Sequence, residues 1–358
     1  MYISCTIIVF VLLGYLFIYT SHLDSLEPEK KDATVKGQEF KFIEDFGEQL
    51  VGKHQTVIVI LDLETDELRI LPRKKNCSDN EGVLPFDVSP GLILWDDNGK
   101  SLYGISTFTE PRRLGLIYCS NRRSCVFKIC LGSDKYFELS SQRTGVKSEN
   151  VSCRSPRMVI FNEEKKYLIW TERDLSQPNY PGPHQSCFRL MKMNMVGKNK
   201  PEIVIDLING FDPEKDDFAG LYMPKIGKNC IVAENLIILT TVVNDTLIPV
   251  ICNIVSGEFQ VMNTTGRHLT VHDSFYDPIQ KTSIIVGTKS NPLQPSHLVI
   301  GKLERDVNDR MQLSCSTIGD IVQLDGLSLD ADKYTWRTLN HTPKHLIKGK
   351  CRFDNTQK

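Results

Sequence analysis

NCIVA (Asn229 to Ala233), LIILTTVV (Leu236 to Val243) and LIPVICNIVSGEFQVM (Leu247 to Met262) follow one another with only polar turn residues between them. Each run is short, rich in β-branched residues and patterned with period two, and Ser256-Gly257 divides the last into a hairpin. The stretch predicts four consecutive strands.

The same set recurs on either side. First strands are expected at GLILW (Gly91 to Trp95), RMVIF (Arg157 to Phe161) and, more weakly, TVHDSFY (Thr270 to Tyr276). Second strands are expected at SLYGIST (Ser101 to Thr107), KYLIWTE (Lys166 to Glu172) and TSIIVGT (Thr282 to Thr288). SCVFKICLGSDKYFEL, CFRLMKMNMVGKNKPEIVIDL and HLVIGKLERDVNDRMQLSC complete the sets as hairpins, turned by Gly-Ser-Asp or Gly-Lys-Asn in the first two. Four strands per roughly 45 to 70 residues is the spacing of a β-propeller blade. A β-sandwich stays open as the alternative, because period two alone does not separate the two architectures.

The expected fold class is therefore all-β: a partial β-propeller of about four complete four-stranded blades, one incomplete blade and an N-terminal hydrophobic segment. The incomplete blade comes from QEFKF, VIVILDL and DELRILP, between Gln38 and Pro72, whose innermost strand would lie before residue 35. After Cys315, DIVQLDGLSL begins something further. The expected division is residues 1–34 as hydrophobic segment and linker, 35–342 as partial propeller and 343–358 as tail.

Composition excludes several classes. In 358 residues, 43 Lys and Arg balance 44 Asp and Glu, so no global field draws nucleic acid or an anionic membrane. Eleven cysteines form no Cys-x-x-Cys pair, which removes zinc-ribbon and thioredoxin-like readings and leaves structural thiols. Met1 to Leu23 carries no Asp, Glu, Lys or Arg, and Ile7 to Tyr19 is continuously apolar. Three readings stay open there: a single-pass membrane anchor, a start that is not coding sequence, or a buried helix. Lys30, Lys31 and Lys36 follow the segment and place the rest of the chain on the cytoplasmic side if it is an anchor. Sequons at Asn76, Asn150, Asn244, Asn263 and Asn340 matter only if topology exposes them to glycosylation.

A family resemblance rests on VKGQEFKFIEDFGEQLV (Val35 to Val51), VSPGLILW (Val88 to Trp95), EPRRLGLIYCSNRRSCVFKICL (Glu110 to Leu131) and DFAGLYMPKIGKNCIVAENLIILTT (Asp217 to Thr241). In that order and spacing they resemble the propeller of acylaminoacyl-peptidases, serine hydrolases of the prolyl oligopeptidase superfamily. YTWRTL (Tyr334 to Leu339) resembles the exit from that propeller. The resemblance implies a cytoplasmic protein whose propeller covers a hydrolase site, admits short N-acylated peptides and contributes to assembly. It also implies a partner for the end blades, either a hydrolase domain or a second copy. The membrane, through Ile7 to Tyr19, is the alternative partner, and a membrane-anchored binding module the alternative function. The chain is expected to be a fragment of such an enzyme, inactive alone.

No catalytic residue, cofactor or metal is expected. The family's nucleophile would sit in Gly-x-Ser-x-Gly, but the Gly-x-Ser runs at Gly99 to Ser101, Gly104 to Ser106 and Gly326 to Ser328 have Tyr103, Phe108 and Asp330 at the fifth position. Gly99-Lys100-Ser101 lacks the upstream glycine of a phosphate loop, Leu94 standing in its place. The eight histidines are scattered singly. Arg112, Arg113, Arg122 and Arg123 form a basic cluster suited to a peptide carboxylate or an acidic partner surface, with solvated turn arginines as the plainer reading. Asp62, Asp96, Asp97, Asp216 and Asp217 are turn residues, and Asp96 and Asp97 point to opposite faces if a strand runs through them.

Overall fold

In the computed structural model, the described residues are the backbone of 7–13 and residues 37–317 apart from 38–39, 41–43, 48, 54, 75–82, 117–120, 143–149, 176–185, 198–199, 209–217, 223–224, 244–245, 263, 265–267, 292–293 and 307–309. They are strands and turns, with no α-helix among them.

A three-stranded antiparallel sheet comes first: β1 (Ile7–Leu13), β2 (Thr56–Asp62) and β3 (Leu68–Ile70). β1 corrects the sequence reading. Ile7–Leu13 is extended and pairs with β2 from Ile7↔Asp62 to Leu13↔Thr56. The helical readings therefore fail there, and no helix among the described residues is long and apolar enough to cross a membrane. IIVFVLL is dominated by β-branched and aromatic residues, which suit a pleated backbone better than a helical turn. Residues 14–19 of the apolar run lie outside the described residues. Of Gln38 to Phe42, expected as a strand, only Phe40 is described, and its N–H bonds back to Gly37 in a tight turn.

A short parallel pair, β4 (Arg73–Lys74) and β5 (Leu84–Pro85), leads into four antiparallel meanders. The second sheet holds β6 (Val88–Trp95), β7 (Ser101–Phe108), β8 (Ser124–Cys130) and β9 (Lys135–Glu138). The third holds β10 (Val151–Ile160), β11 (Lys166–Asp174), β12 (Arg189–Asn194) and β13 (Glu202–Ile205). β14 (Ile231–Ala233), β15 (Leu236–Val243), β16 (Thr246–Asn253) and β17 (Phe259–Val261) form the fourth, and β18 (His268–Asp277), β19 (Thr282–Asn291), β20 (Gln294–Arg305) and β21 (Met311–Thr317) the fifth. Each recurring run of the four sets has its strand. One parallel bridge, Ser124↔Ser152, joins the second and third sheets into one eight-stranded array. There the Ser124 hydroxyl donates to the Cys153 carbonyl (3.0 Å) and accepts from the Cys153 N–H (2.9 Å).

Alternation along the central strands sends neighbouring side chains into different cores, because successive Cβ atoms leave opposite faces of a strand. On β11, Leu168 and Trp170 enter the core shared with the second sheet, whereas Tyr167 and Ile169 enter the core shared with the fourth. On β15, Ile237 and Leu239 face the third sheet, and Ile238 faces the fifth. Leu102 and Phe127 likewise face the first sheet's Ile58 and Ile60. Four hydrophobic cores thus join five consecutive sheets, and each fully buried Leu, Ile or Phe contributes about 1.5–3 kcal/mol. Gly104 on β7 cannot carry a side chain: a Cβ there would lie 2.8 Å from Ile93 Cδ1 and 2.9 Å from the Gly91 carbonyl oxygen.

Cysteines behave as packing residues. Cys125, Cys153, Cys230 and Cys252 are buried, and burial pushes the Cys230 and Cys252 thiols up to about 12. A thiol held neutral is a poor nucleophile.

LGLIYC (Leu114 to Cys119) has the composition of a strand. In LGLIYC, residues 114–116 are irregular and 117–120 are not described. Arg122 Nε donates to the Gly115 carbonyl at 2.8 Å, so a side chain satisfies the acceptor that a ladder would have used.

Candidate functional site

The turns that follow each first strand gather at one end of the sheets, and charged residues tie them together. Lys166, at the start of β11, reaches Asp97 in the β6–β7 turn at 2.5 Å and Glu163 at 2.8 Å. Lys165 pairs with Glu234 in the β14–β15 turn at 2.7 Å. Between the fourth and fifth sheets a carboxylate does the same work, with Asp273 accepting from the Asn229 backbone N–H (3.1 Å) and side-chain amide (3.2 Å).

Two cavities open beside these ties. One, of about 610 Å³, lies among the ends of β10, β14 and β18 and is lined by Phe161, Glu234, Phe275 and Lys281 among others. The other, of about 700 Å³, lies between the second and third sheets. Asp96, Asp97, Tyr103, Lys128, Glu163 and Lys166 supply its polar wall, while Leu139, Met193 and Met195 supply its apolar one.

The second cavity is bordered by Asp96 and Asp97, which lie in a turn as their sequence suggests. β6 ends at Trp95, so the residues occupy a turn instead of opposite faces of a strand, closed by Gly99 N–H to the Asp96 carbonyl. Asp96 Oδ1 accepts the Asp97 N–H at 2.9 Å. Burial, then the neighbouring Asp97, raises the Asp96 carboxyl above its ordinary range, whereas the Lys166 ammonium holds Asp97 below it. Burial, and after it the two carboxylates, also raises Tyr103. Lys128, cross-strand from Tyr103, sits 5.5 Å over its ring. Nothing in the linear sequence signalled Tyr103, Lys128 or Lys166, because their neighbourhood is assembled from two meanders.

Other candidates take structural places. Asp62 caps a turn through the N–H groups of Glu64 (2.9 Å) and Thr65 (3.2 Å). Arg113 meets Glu44, its own N–H bonding Oε1 at 3.1 Å, and lies over Phe46, while Arg123 donates to the Glu110 carbonyl at 2.5 Å. With Arg122 they fasten irregular chain, leaving Arg112 exposed at the surface. Gly99 turns the chain at φ 69° and Ser101 is buried in β7, as is Ser106. Asn150 bonds Leu175 N–H through its carbonyl, and Ser152, the hydroxyl of its sequon, is buried. Asp216, Asp217, Gly326 to Ser328, Asn76, Asn244, Asn263 and Asn340 lie outside the described residues. Among the described residues no group of three His, Cys, Asp or Glu could hold a metal ion.

Against known proteins, residues 17–323 match the family model described as "Acylamino-acid-releasing enzyme, N-terminal domain". The mouse acylamino-acid-releasing enzyme is 30% identical over 222 residues, 61% of this chain and 26% of that protein. The Arabidopsis thaliana enzyme is 22% identical over 268 residues, 72% of this chain and 33% of that protein. The chain thus spans a quarter to a third of the length of these curated relatives. Similar solved structures include a putative dipeptidyl aminopeptidase IV from Bacteroides ovatus (TM-score 0.39, 9% identity, 74% of this chain and 49% of that one). Another is an oligogalacturonate lyase from Vibrio parahaemolyticus (TM-score 0.40, 10% identity, 77% of this chain and 64% of that one). The family match extends over most of the sequence and all but the first of the five sheets' strands, so the chain belongs to the family of the acylamino-acid-releasing enzyme N-terminal domain.

Proposed function

We propose that this chain serves as the non-catalytic propeller of an acylamino-acid-releasing system. On this reading β6–β9, β10–β13, β14–β17 and β18–β21 are four complete blades, and β1–β3 an incomplete one that draws its first strand from the 1–34 segment. The propeller extends over residues 35–342, with 343–358 as a tail. Its work is to cover a serine hydrolase site in the cytoplasm, so that short N-acylated peptides reach the nucleophile and folded chains do not. The hydrolase unit, or a second copy of the chain, is the partner that its outer faces require.

The observation that carries this reading is a pairing of two facts. The match falls on the N-terminal domain of the family, and none of the three Gly-x-Ser runs continues to the glycine of a nucleophile elbow. Among the described residues, burial keeps the Cys230 and Cys252 thiols neutral, and Asp62 is engaged in capping a turn.

The test uses the purified chain with an N-acetylated alanine chromogenic reporter and a serine-directed fluorophosphonate. No turnover and no covalent labelling are expected. Turnover accompanied by labelling would overturn the non-catalytic assignment. Joined to the hydrolase domain of the mouse relative, the chain is expected to slow cleavage of a long acetylated polypeptide more than that of a dipeptide. Equal rates with and without it would remove the shielding role.

A further inference from the structure

The outer edges of the sheets differ in how far they are protected. β3, β9, β13 and β17 end their sheets with only three or four residues each, and Arg69, Lys135, Glu138 and Glu202 place charge on three of them. Shortness and charge are the usual defences of an edge. β21 has neither: MQLSCST runs for seven residues without a charge, a proline or a bulge, in register from Arg305↔Met311 to Val299↔Thr317.

One contact shows what this edge takes. The Gln260 side-chain amide, from β17, donates to the Met311 carbonyl at 2.7 Å and accepts the Met311 N–H at 3.0 Å, as the peptide groups of a neighbouring strand would. Met311 therefore presents both backbone groups outward, and by the two-residue period of the ladder Leu313, Cys315 and Thr317 do the same. The bond from Asp306 N–H to the Arg310 carbonyl (2.8 Å) fixes the same phase. Beyond Met311 these outward groups meet no partner among the described residues.

We propose that β21 pairs antiparallel with β21 of a second copy about a two-fold axis at Cys315, joining two fifth sheets into one continuous sheet. This register sets Leu313 against Thr317 and Cys315 against itself, uses every free outward residue and leaves Gln260 on Met311. Such pairing is closed by its own symmetry. With no charged residue in β21, no like charges meet across the axis, and Ser314 meets Ser316 on the exposed face. The seam is a sheet edge distinct from the outer faces, and it forms whether or not the chain shields a hydrolase.

Sedimentation velocity and thiol cross-linking of the full chain provide the test. A monomer–dimer equilibrium is expected at concentrations up to about 100 μM. Across a hydrogen-bonded antiparallel pair the Cα atoms stand about 5.5 Å apart, within reach of a disulfide. Copper phenanthroline should therefore link two chains through Cys315, and Cys315→Ser should abolish the link while keeping the dimer. Cys315→Pro removes the central N–H, which β20 does not use, and should weaken the dimer at least about tenfold with unchanged far-UV circular dichroism. A wild-type chain that stays monomeric at about 100 μM overturns the proposal. So does a dimer that Cys315→Pro leaves intact, or oxidation that links chains only through another cysteine.

Discussion

The third and fifth sheets are written in nearly the same sequence language and live in different surroundings. KYLIWTE in β11 and TSIIVGT in β19 both place apolar residues at consecutive central positions. In the third sheet both faces of that run are covered, with Leu168, Ile169 and Trp170 all 0% exposed. In the fifth only one face is covered: Ile285 is 0% exposed and its neighbour Ile284 is 43% exposed. Phe275, paired with Ile284, is 65% exposed on that same outer face, and Leu298 and Ile300 continue it on β20. A continuous apolar strand therefore signals two packed neighbours, and the fifth sheet displays a pattern prepared for a second one.

Substitutions can break or sharpen this contrast. The largest effect is expected from Trp170→Ala, which empties part of the core between the second and third sheets and should cost about 3–5 kcal/mol, read as a lower urea midpoint. Ile285→Ala removes a smaller group from the core between the fourth and fifth sheets, and about 2 kcal/mol is expected by the same measurement. Ile284→Ser, one residue away on the open face, should change stability by no more than about 0.5 kcal/mol and should reduce self-association in sedimentation velocity. A loss of about 2 kcal/mol there would mean that the outer face is covered and would erase the contrast.

The smallest effect concerns the tie between sheets. Lys166 holds Asp97 below the ordinary carboxylate range, so the stabilisation it lends is complete above an unfolded value of about 4 and disappears as pH falls through the lowered folded value. The melting temperature of Lys166→Met should therefore lie slightly below wild type at pH 7 and converge with it in acid. A gap that persists at pH 2 would show that Lys166 contributes packing instead of charge.

The four complete strand sets were readable because polar turns interrupt a period-two pattern, as Asp96-Asp97-Asn98 does between β6 and β7 and Asn162 to Lys165 does between β10 and β11. β1 was not readable as a strand. IIVFVLL has no polar position to mark a face, and an unbroken apolar run does not distinguish strand from helix. LGLIYC carries a strand composition, yet residues 114–116 are irregular and Arg122 takes the Gly115 carbonyl. The cavity was the least legible feature, because its tie joins residues 69 positions apart and Tyr103 and Lys128 become neighbours only after β7 and β8 pair.

The Ser124 hydroxyl, bonded to both polar groups of Cys153, pins the second and third sheets at one point near the start of β8. At the far end of the same strand, Lys128 faces the cavity, and Lys166 clasps Asp97 across its mouth. Between these two points the shared core of Tyr103, Val126, Leu168 and Trp170 fills the seam, so the two sheets are fastened by a hydroxyl at one end, a charge pair at the other and apolar packing along the middle.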